Sequence, residues 1–298
     1  MKRITPHLWF DTQAKEAAQL YTSLFDDSQI TDVTVLRDTP SGDCDVVYFT
    51  LAGQPFQAIS AGPEFKFTPS ISFRIDCASA EEVDELWRKL NAGGETLMPL
   101  DSYPFSDRYG WTNDRFGLSW QIMHSSSGDV PQKIVPSLMF VGDVCGKAEE
   151  AIKLYTSVFP NSQVGELRRY GPGAEPEPEG SVQFAAFTLD GYHLAAIESA
   201  LEHNFSFNEA VSLIVGCENQ EEIDYYWERM SGVPESEQCG WLKDRFGVSW
   251  QIVPRKMDEM MRTADEETLR RVTQTFLPMK KLDLAELEAA YAGAVRAK

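Results

Sequence analysis

Apolar residues recur along the chain with two spacings, one typical of helices and one typical of strands. One helical stripe is formed by Ala17, Leu20, Tyr21 and Leu24, which are spaced i, i+3, i+4, i+7. The segment 118–122 alternates instead, so that Leu118, Trp120 and Ile122 face one way and Ser119 and Gln121 the other. The first pattern predicts an amphipathic helix, and the second predicts a strand with one apolar face.

Each pattern occurs twice. Asp114–Ile122 reads DRFGLSWQI, and Asp244–Ile252, at an offset of 130 residues, reads DRFGVSWQI. Ile4–Phe10 is similarly repeated at Ile134–Phe140, and the helical stripe returns in residues 151–158. Repeated segments in the same order indicate a duplication. We therefore predict an N-terminal module over 1–125, a linker at 125–133, a C-terminal module over 134–254, and a C-terminal helical extension over 255–298.

Each module is predicted to run strand, helix, strands, helix, strands. The second helix of each module opens with a capping pattern, Ser79 before Glu82 and Asn219 before Glu222. In the extension, Leu269, Val272 and Phe276 form a short stripe, and Asp283 is placed to cap a further helix. We expect these two helices to pack on the modules or across a homodimer.

Charge and cysteine content narrow the class of protein. The chain has 46 acidic and 27 basic residues in 298, a net charge of −19. Nucleic-acid binding needs a basic face, so no nucleic-acid partner is expected. The start MKRITPHLWFDTQ turns polar too soon for a signal peptide, and no apolar run is long enough for a membrane span. Five cysteines without a CxxC pair favour reduced thiols and a cytoplasmic location.

A duplicated βαβββ unit ending in D-x-x-G-x-x-W-Q resembles the vicinal-oxygen-chelate superfamily, which includes glyoxalase I, bleomycin-resistance proteins and extradiol dioxygenases. PHLWF, EAAQLYTSLF, DRFGLSWQI and the closing MKKLDLAELEAAYAG are similar to its PhnB-like branch, often labelled 3-demethylubiquinone-9 3-methyltransferase. The resemblance covers nearly the whole chain. It implies an α+β fold of tandem βαβββ modules of the glyoxalase/bleomycin-resistance type, with cups built from paired modules.

The resemblance also implies where a metal ion would be held. In metal-using members, the ligands come from the first strand, a middle strand and the last strand of the cup. These positions fall on Thr5 or Val135, near Ser70 or Ala210, and on Gln121 or Gln251. None of these side chains carries a formal charge, and neutral oxygens alone make a poor transition-metal site. We expect no metal and no other cofactor.

The two modules differ most on the face turned away from the helices, where a cup would bind its ligand. Thr5, His7 and Trp9 share that face in the first module, and the second has Val135, Ser137 and Met139 there. Only the first module carries a long loop, over 91–108, with aromatic side chains able to close over a cup. The ligand-binding residues predicted from the sequence are Thr5, His7, Trp9, Ser70, Tyr103, Phe105 and Gln121.

Three candidate functions follow from these features and from the resemblance. One is a small-molecule-binding protein that works without the usual metal site. The alternative is a metal-dependent lyase, isomerase or dioxygenase with an atypical site around Thr5, His7 and Gln121. The third is the methyltransferase of the family label, but no glycine-rich turn between a strand and a helix is present to hold a methyl donor.

Overall fold

The computed structural model describes residues 3–125 and 131–293, so most of the predicted linker at 125–133 lies outside the described residues. The described residues form fifteen strands and seven α-helices, with 3₁₀ turns at Gly142–Val144 and Pro234–Ser236. None of these helices is long and apolar enough to cross a membrane.

The strands are β1 Ile4–Phe10, β2 Gln29–Thr39, β3 Gly42–Leu51, β4 Gln54–Ser60, β5 Ile71–Cys77, β6 Glu95–Tyr103, β7 Ser106–Asn113, β8 Ser119–His124, β9 Ile134–Val141, β10 Gln163–Arg169, β11 Val182–Leu189, β12 Tyr192–Ser199, β13 Val211–Cys217, β14 Trp241–Lys243 and β15 Ser249–Pro254. The helices are α1 Ala14–Thr22, α2 Ala80–Leu90, α3 Ala148–Val158, α4 Gln220–Met230, α5 Arg255–Thr263, α6 Glu266–Phe276 and α7 Leu284–Tyr291. The predicted α+β fold with a helical C-terminal extension is confirmed.

The chain divides into two compact units, and each is made from both sequence copies. Unit 1 comprises Met1–Ser23, Asp27–Phe65 and Asn208–Lys298, and unit 2 comprises Leu24–Asp26 and Lys66–Phe207. The sheet of unit 1 has the order β14-β15-β13-β1-β4-β3-β2, and that of unit 2 has the order β10-β11-β12-β9-β5-β8-β7-β6. Each sheet therefore joins one half of the first copy to one half of the second.

In each unit the two halves are joined by antiparallel pairing between the first strand of one copy and a middle strand of the other. In unit 1, β1 pairs with β13, with His7 opposite Ser212. In unit 2, β5 pairs with β9, with Ser72 opposite Ser137. Because the two copies carry the same motif, a half from one copy fits its counterpart from the other, as in domain swapping. The resemblance implied cups built from paired modules, and the sheets have this form.

The repeated DRFG segment has a structural role in both units. The carboxylate of Asp244 accepts hydrogen bonds from the backbone N–H groups of Phe246 and Val248 at 2.9 and 3.1 Å, and from Nε1 of Trp250 at 2.9 Å. Asp114 makes the same three bonds in unit 2. Gly117 and Gly247 both have φ of 89°, which favours glycine at the end of the turn. One aspartate thus fixes the turn and the buried tryptophan of the next strand.

The faces packed against the helices agree between the copies, as predicted. Leu8 and Leu138 are fully buried, and so are Trp120 and Trp250. The predicted caps form, because Ser79 Oγ accepts from the N–H of Glu82 and Asn219 Oδ1 from that of Glu222. The helical stripe of the first copy is shorter than predicted: α1 ends at Thr22, so Leu24 lies beyond it.

Two other predictions need correction. The segment predicted as a long loop over 91–108 is largely a hairpin, in which β6 pairs with β7 at the edge of the sheet of unit 2. The described part of the C-terminal extension, residues 255–293, has three helices and not two, since α5 follows β15 directly. The extension packs on unit 1, where Met257, Met261 and Phe276 join an apolar cluster with Leu36 and Val46 of the sheet.

Candidate functional site

Unit 1 contains a partly open cavity of about 110 Å³ between its sheet and the C-terminal helices. The sheet side is lined by residues that include His7, Trp9, Tyr48, Gln57, Trp241 and Gln251. The helical side is lined by Met257, Asp258 and Met261 of α5 and by Phe276 of α6. Polar and aromatic side chains thus converge on one partly open cavity, which is typical of a ligand site.

His7 lies on β1 between its register partners Gln57 of β4 and Ser212 of β13. Its side chain is only 3% exposed, and its Nδ1 atom has no hydrogen-bond partner among the described residues. Burial lowers the pKa of His7 to about 3, so the imidazole is neutral at neutral pH. Among the described residues, His7 thus has a buried imidazole nitrogen whose hydrogen-bonding capacity is unsatisfied.

Two tryptophans form one wall of the cavity. The His7 and Trp241 rings meet edge to face, with centroids 5.3 Å apart, and the Trp9 and Trp241 rings are 6.1 Å apart. Nε1 of Trp9 donates to the carbonyl oxygen of Gly62 at 2.8 Å, and Phe65 contacts the Trp9 ring at 5.1 Å. The positions of these rings are fixed by the protein, so the wall exists before any ligand binds.

Gln251 contributes an amide at the far side of β13. Its Nε2 atom donates to Ser212 Oγ at 2.9 Å. In unit 2 the corresponding Gln121 donates to Ser72 Oγ at 2.6 Å and also accepts from the Tyr109 hydroxyl at 3.0 Å. Unit 1 has Cys239 at the position that corresponds to Tyr109, so it lacks this hydroxyl donor. The smaller side chain also leaves more room, and Cys239 lines the cavity.

The remaining polar groups come from β3 and α5. The Tyr48 hydroxyl is buried without a hydrogen-bond partner in the described part of the chain, and burial raises its pKa. Burial also raises the pKa of Asp258 to about 6, and the positive charges of Arg262 and Arg255 oppose that shift. The cavity therefore holds a phenol, a neutral imidazole and a carboxyl group whose protonation changes near neutral pH.

Replacing Asp258 with asparagine is expected to raise the free energy of unfolding at pH 7 and to change little at pH 4. An aspartate in an unfolded chain has a pKa near 3.9, and the pKa of Asp258 in the folded protein is about 6. Between these two pH values the folded state keeps a proton on Asp258 that the unfolded state has released. Its contribution is full below pH ~3.9 and is lost as the pH rises through about 6, an effect of about 1–3 kcal/mol.

Urea unfolding between pH 4 and pH 8 measures this difference. The matched control is Glu259→Gln, which neutralises the next, exposed carboxylate of the same helix. Parallel stability curves for the wild type and Asp258→Asn would show that the carboxyl group does not titrate in the folded state at a raised pKa.

The structure divides the predicted site residues between the two units. Thr5, His7 and Trp9 lie on β1 in unit 1, and both His7 and Trp9 line the cavity. Gln121 of β8 and Ser70, just before β5, lie in unit 2. The combination of Thr5, His7 and Gln121 is therefore not formed, because β1 and β8 belong to different sheets. Gln251, from the other copy, lies in the sheet of His7.

The aromatic pair of the predicted lid is also in unit 2. Tyr103 stacks on Phe105 at 5.7 Å, and both pack edge to face on Tyr109. The Tyr103 hydroxyl donates to the carbonyl oxygen of Pro99, and the Phe105 side chain is 47% exposed. These rings form a cluster at the β6–β7 hairpin and are not part of the cavity of unit 1.

In unit 2 an arginine side chain crosses the sheet face that corresponds to the cavity of unit 1. Arg74 lies on β5, and its guanidinium is 5.4 Å from the ring centre of Phe184 on β11. Since β9 and β12 separate these two strands, the side chain reaches across the face of the sheet. Its Nη2 atom pairs with Asp76 at 3.0 Å. The corresponding residue of unit 1 is Ile214, which is shorter and lines the cavity.

A family model described as 3-demethylubiquinone-9 3-methyltransferase matches this chain twice, over residues 2–123 and 132–253. Together these ranges span well over half of the sequence. The chain belongs to this family. The two matched ranges coincide with the two repeated modules, so this family member carries the family's sequence motif in duplicate.

Solved structures extend the comparison to the fold. The PhnB protein from Bacillus cereus is 40% identical over 41% of this chain and 98% of its own, with a TM-score of 0.38. Glyoxalase I from Zea mays is 10% identical over 88% of this chain and 98% of its own, with a TM-score of 0.52. A Bacillus subtilis protein described as a dioxygenase is 13% identical over 93% and 97%, with a TM-score of 0.49. The likeness to glyoxalase I shows that this family member has the glyoxalase fold. No curated protein matches the chain.

The superfamily implies a divalent metal ion in the cup, and the donor set of this family member does not fit one. Within residues 3–125 and 131–293, no three side chains of His, Cys, Asp or Glu are grouped so that they could hold an ion. The lining of the unit 1 cavity includes the His7 imidazole, the Asp258 carboxyl group and the Cys239 thiol, but these three side chains are not grouped as ligands of one ion, and the other polar groups are uncharged amides and a phenol. Neutral oxygens are weak ligands for a transition metal, so we assign no step to a metal ion.

Proposed function

We propose that this family member binds a small molecule in the cavity of unit 1. The observation that carries the proposal is a pair of buried polar atoms, Nδ1 of His7 and the Tyr48 hydroxyl, in residues that line a cavity with Trp9 and Trp241. Neither atom has a hydrogen-bond partner among residues 3–125 and 131–293. An unsatisfied buried polar group costs about 1–3 kcal/mol. A ligand that supplies the missing hydrogen bonds recovers this free energy.

The size of the cavity limits the ligand. An engineered cavity of 150 Å³ holds benzene, and the cavity of unit 1 is smaller at about 110 Å³. The family's name describes methyl transfer to a demethylubiquinone, which requires space for a substituted ring and a methyl donor together. With the C-terminal helices in place, the cavity is too small for both, and we therefore do not propose that reaction.

His7→Ala is expected to weaken ligand binding about fivefold or more, because one hydrogen bond to a buried ligand contributes on the order of 1 kcal/mol or more. A panel of water-soluble compounds with about four to seven non-hydrogen atoms, sized from the cavity, would be titrated against the full chain. Binding is followed by tryptophan fluorescence, since Trp9 and Trp241 line the cavity.

The matched control is Ser137→Ala, which changes the residue at the corresponding position of unit 2. It should leave the affinity of every binding compound unchanged, and both variants should keep a cooperative unfolding transition. Compounds that lose affinity in Ser137→Ala but bind His7→Ala as tightly as wild type would place the site in unit 2 and refute the proposal.

A further inference from the structure

The carboxylate of Asp258 is a negative charge that faces the cavity of unit 1. It lies on α5 and lines the cavity, and no hydrogen bond or ion pair reaches it from residues 3–125 or 131–293. Asp258 is half-buried, and a charge that is largely removed from water without a partner destabilises a protein. A natural site therefore either neutralises the group or provides it with a partner of opposite charge.

The positive charges nearest Asp258 are already engaged by other carboxylates. Arg262 pairs with Asp32 of β2 at 2.9 Å, and Arg255 pairs with Glu218 at 2.7 Å. The other titratable groups that line the cavity are His7, Tyr48 and Cys239. Burial lowers the pKa of the imidazole and raises those of the phenol and the thiol, so all three are uncharged at neutral pH. Asp258 is therefore the titratable group of the cavity lining that can present a charge to a ligand at neutral pH.

The aromatic residues that line the cavity can also interact favourably with a cation. The Trp9 and Trp241 rings and the phenol of Tyr48 line the space, and aromatic faces attract ammonium groups. Nδ1 of His7, which has no partner in the part of the chain that the structure describes, can accept a hydrogen bond when the proton is on Nε2. The net charge of −19 adds a long-range field that raises the local concentration of cations.

We infer that the ligand of the unit 1 cavity is a small organic cation, an alkylammonium compound of about four to seven non-hydrogen atoms, held by Asp258 against Trp9 and Trp241. This inference rests on the proposed function and names the class of its ligand. The ammonium group donates to the Asp258 carboxylate and to Nδ1 of His7, and the alkyl part contacts Met257, Met261 and the indole rings.

A bound cation stabilises the ionised form of Asp258, so binding is linked to pH. In the free protein the pKa of this carboxyl group is raised to about 6. Below that pH the carboxyl group must release its proton before it can pair with the cation. The affinity for an alkylammonium ion should therefore fall roughly tenfold per pH unit below about 6 and stay level above about 7.

Three compounds of the same shape and different charge test the inference: isobutylamine, isobutanol and isobutyrate. Each is titrated calorimetrically into the full chain at pH 7.5. We expect isobutylamine to bind roughly tenfold or more tighter than isobutanol, and isobutyrate to bind most weakly. In Asp258→Asn the preference for the amine over the alcohol should disappear while the affinity for isobutanol is kept. Glu259→Gln should keep the wild-type preference.

The outcomes separate this inference from the proposed function. The wild type could bind isobutylamine and isobutanol with equal affinity, and His7→Ala could weaken both. That result would contradict the inference that the ligand is a cation but would support the proposed site. Absence of binding by all three compounds, or binding that His7→Ala does not change, would overturn the proposed site itself. Amine binding that shows no pH dependence between pH 5 and pH 7 would also contradict a role for Asp258.

Discussion

Asp244→Ala is expected to lower the free energy of unfolding by about 3–5 kcal/mol. Three buried donors lose their acceptor, and each unsatisfied donor costs about 1–3 kcal/mol, part of which is recovered when water replaces the carboxylate. Asp244 is fully buried, and its carboxylate accepts from the N–H groups of Phe246 and Val248 and from the Trp250 indole. The substitution leaves all three groups buried. Urea unfolding followed by circular dichroism measures the loss.

Two control variants make this test specific. Asp114→Ala removes the same three bonds from unit 2 and should produce a loss of similar size there. Glu228→Ala removes an exposed carboxylate from α4 and should change the free energy of unfolding by about 0.5 kcal/mol or less. If Asp244→Ala proves as stable as Glu228→Ala, the aspartate does not hold the turn.

Phe276→Ala is expected to lower the free energy of unfolding by about 3–5 kcal/mol and to enlarge the range of ligands that bind. Phe276 is 7% exposed, belongs to the apolar cluster of the C-terminal helices and lines the cavity. Removing its ring loses buried apolar contact and adds space next to the ligand. Unfolding measurements and titration with benzylamine and isobutylamine test both effects.

In this variant the affinity for benzylamine should rise relative to that for isobutylamine, because the larger compound gains the vacated space. Phe105→Ala is the matched control, since that phenylalanine is 47% exposed and lies in unit 2. It should change neither stability nor ligand size preference appreciably. A stable Phe276→Ala protein with unchanged size preference would show that α6 does not close the cavity.

Much of the fold could be predicted because its determinants are local in sequence. The alternation around Trp120 and Trp250, the glycines with positive φ and the capping residues Ser79 and Asn219 depend on a few neighbouring positions. Periodicity and capping chemistry report directly on such elements. The divergence of Thr5, His7 and Trp9 from the second copy likewise pointed to the β1 side chains that face the cup.

The partners of these side chains could not be predicted in the same way. Both copies end in the same W-Q strand, so the sequence is equally consistent with Gln121 or Gln251 next to β1. Only the pairing of β1 with β13, and of β13 with β15, decides for Gln251. Trp241 and Tyr48 were missed for the same reason, since their neighbours are distant in sequence.

Asp258 was missed because it looks like a solvated residue of a charged helix. Met257, Met260 and Met261 have the spacing of a buried stripe and could have predicted that α5 packs on the sheet. They could not show that the carboxyl group next to that stripe lines a cavity with His7. That depends on the angle at which α5 leaves β15, which no local pattern determines.

The most direct test of the ligand site is crystallographic. Crystals of the full chain would be soaked separately with isobutylamine, isobutanol and isobutyrate. We expect electron density for bound isobutylamine between Trp241 and Asp258 in the cavity of unit 1. Density for these compounds found only beside Arg74 and Gln121 in unit 2 would contradict it.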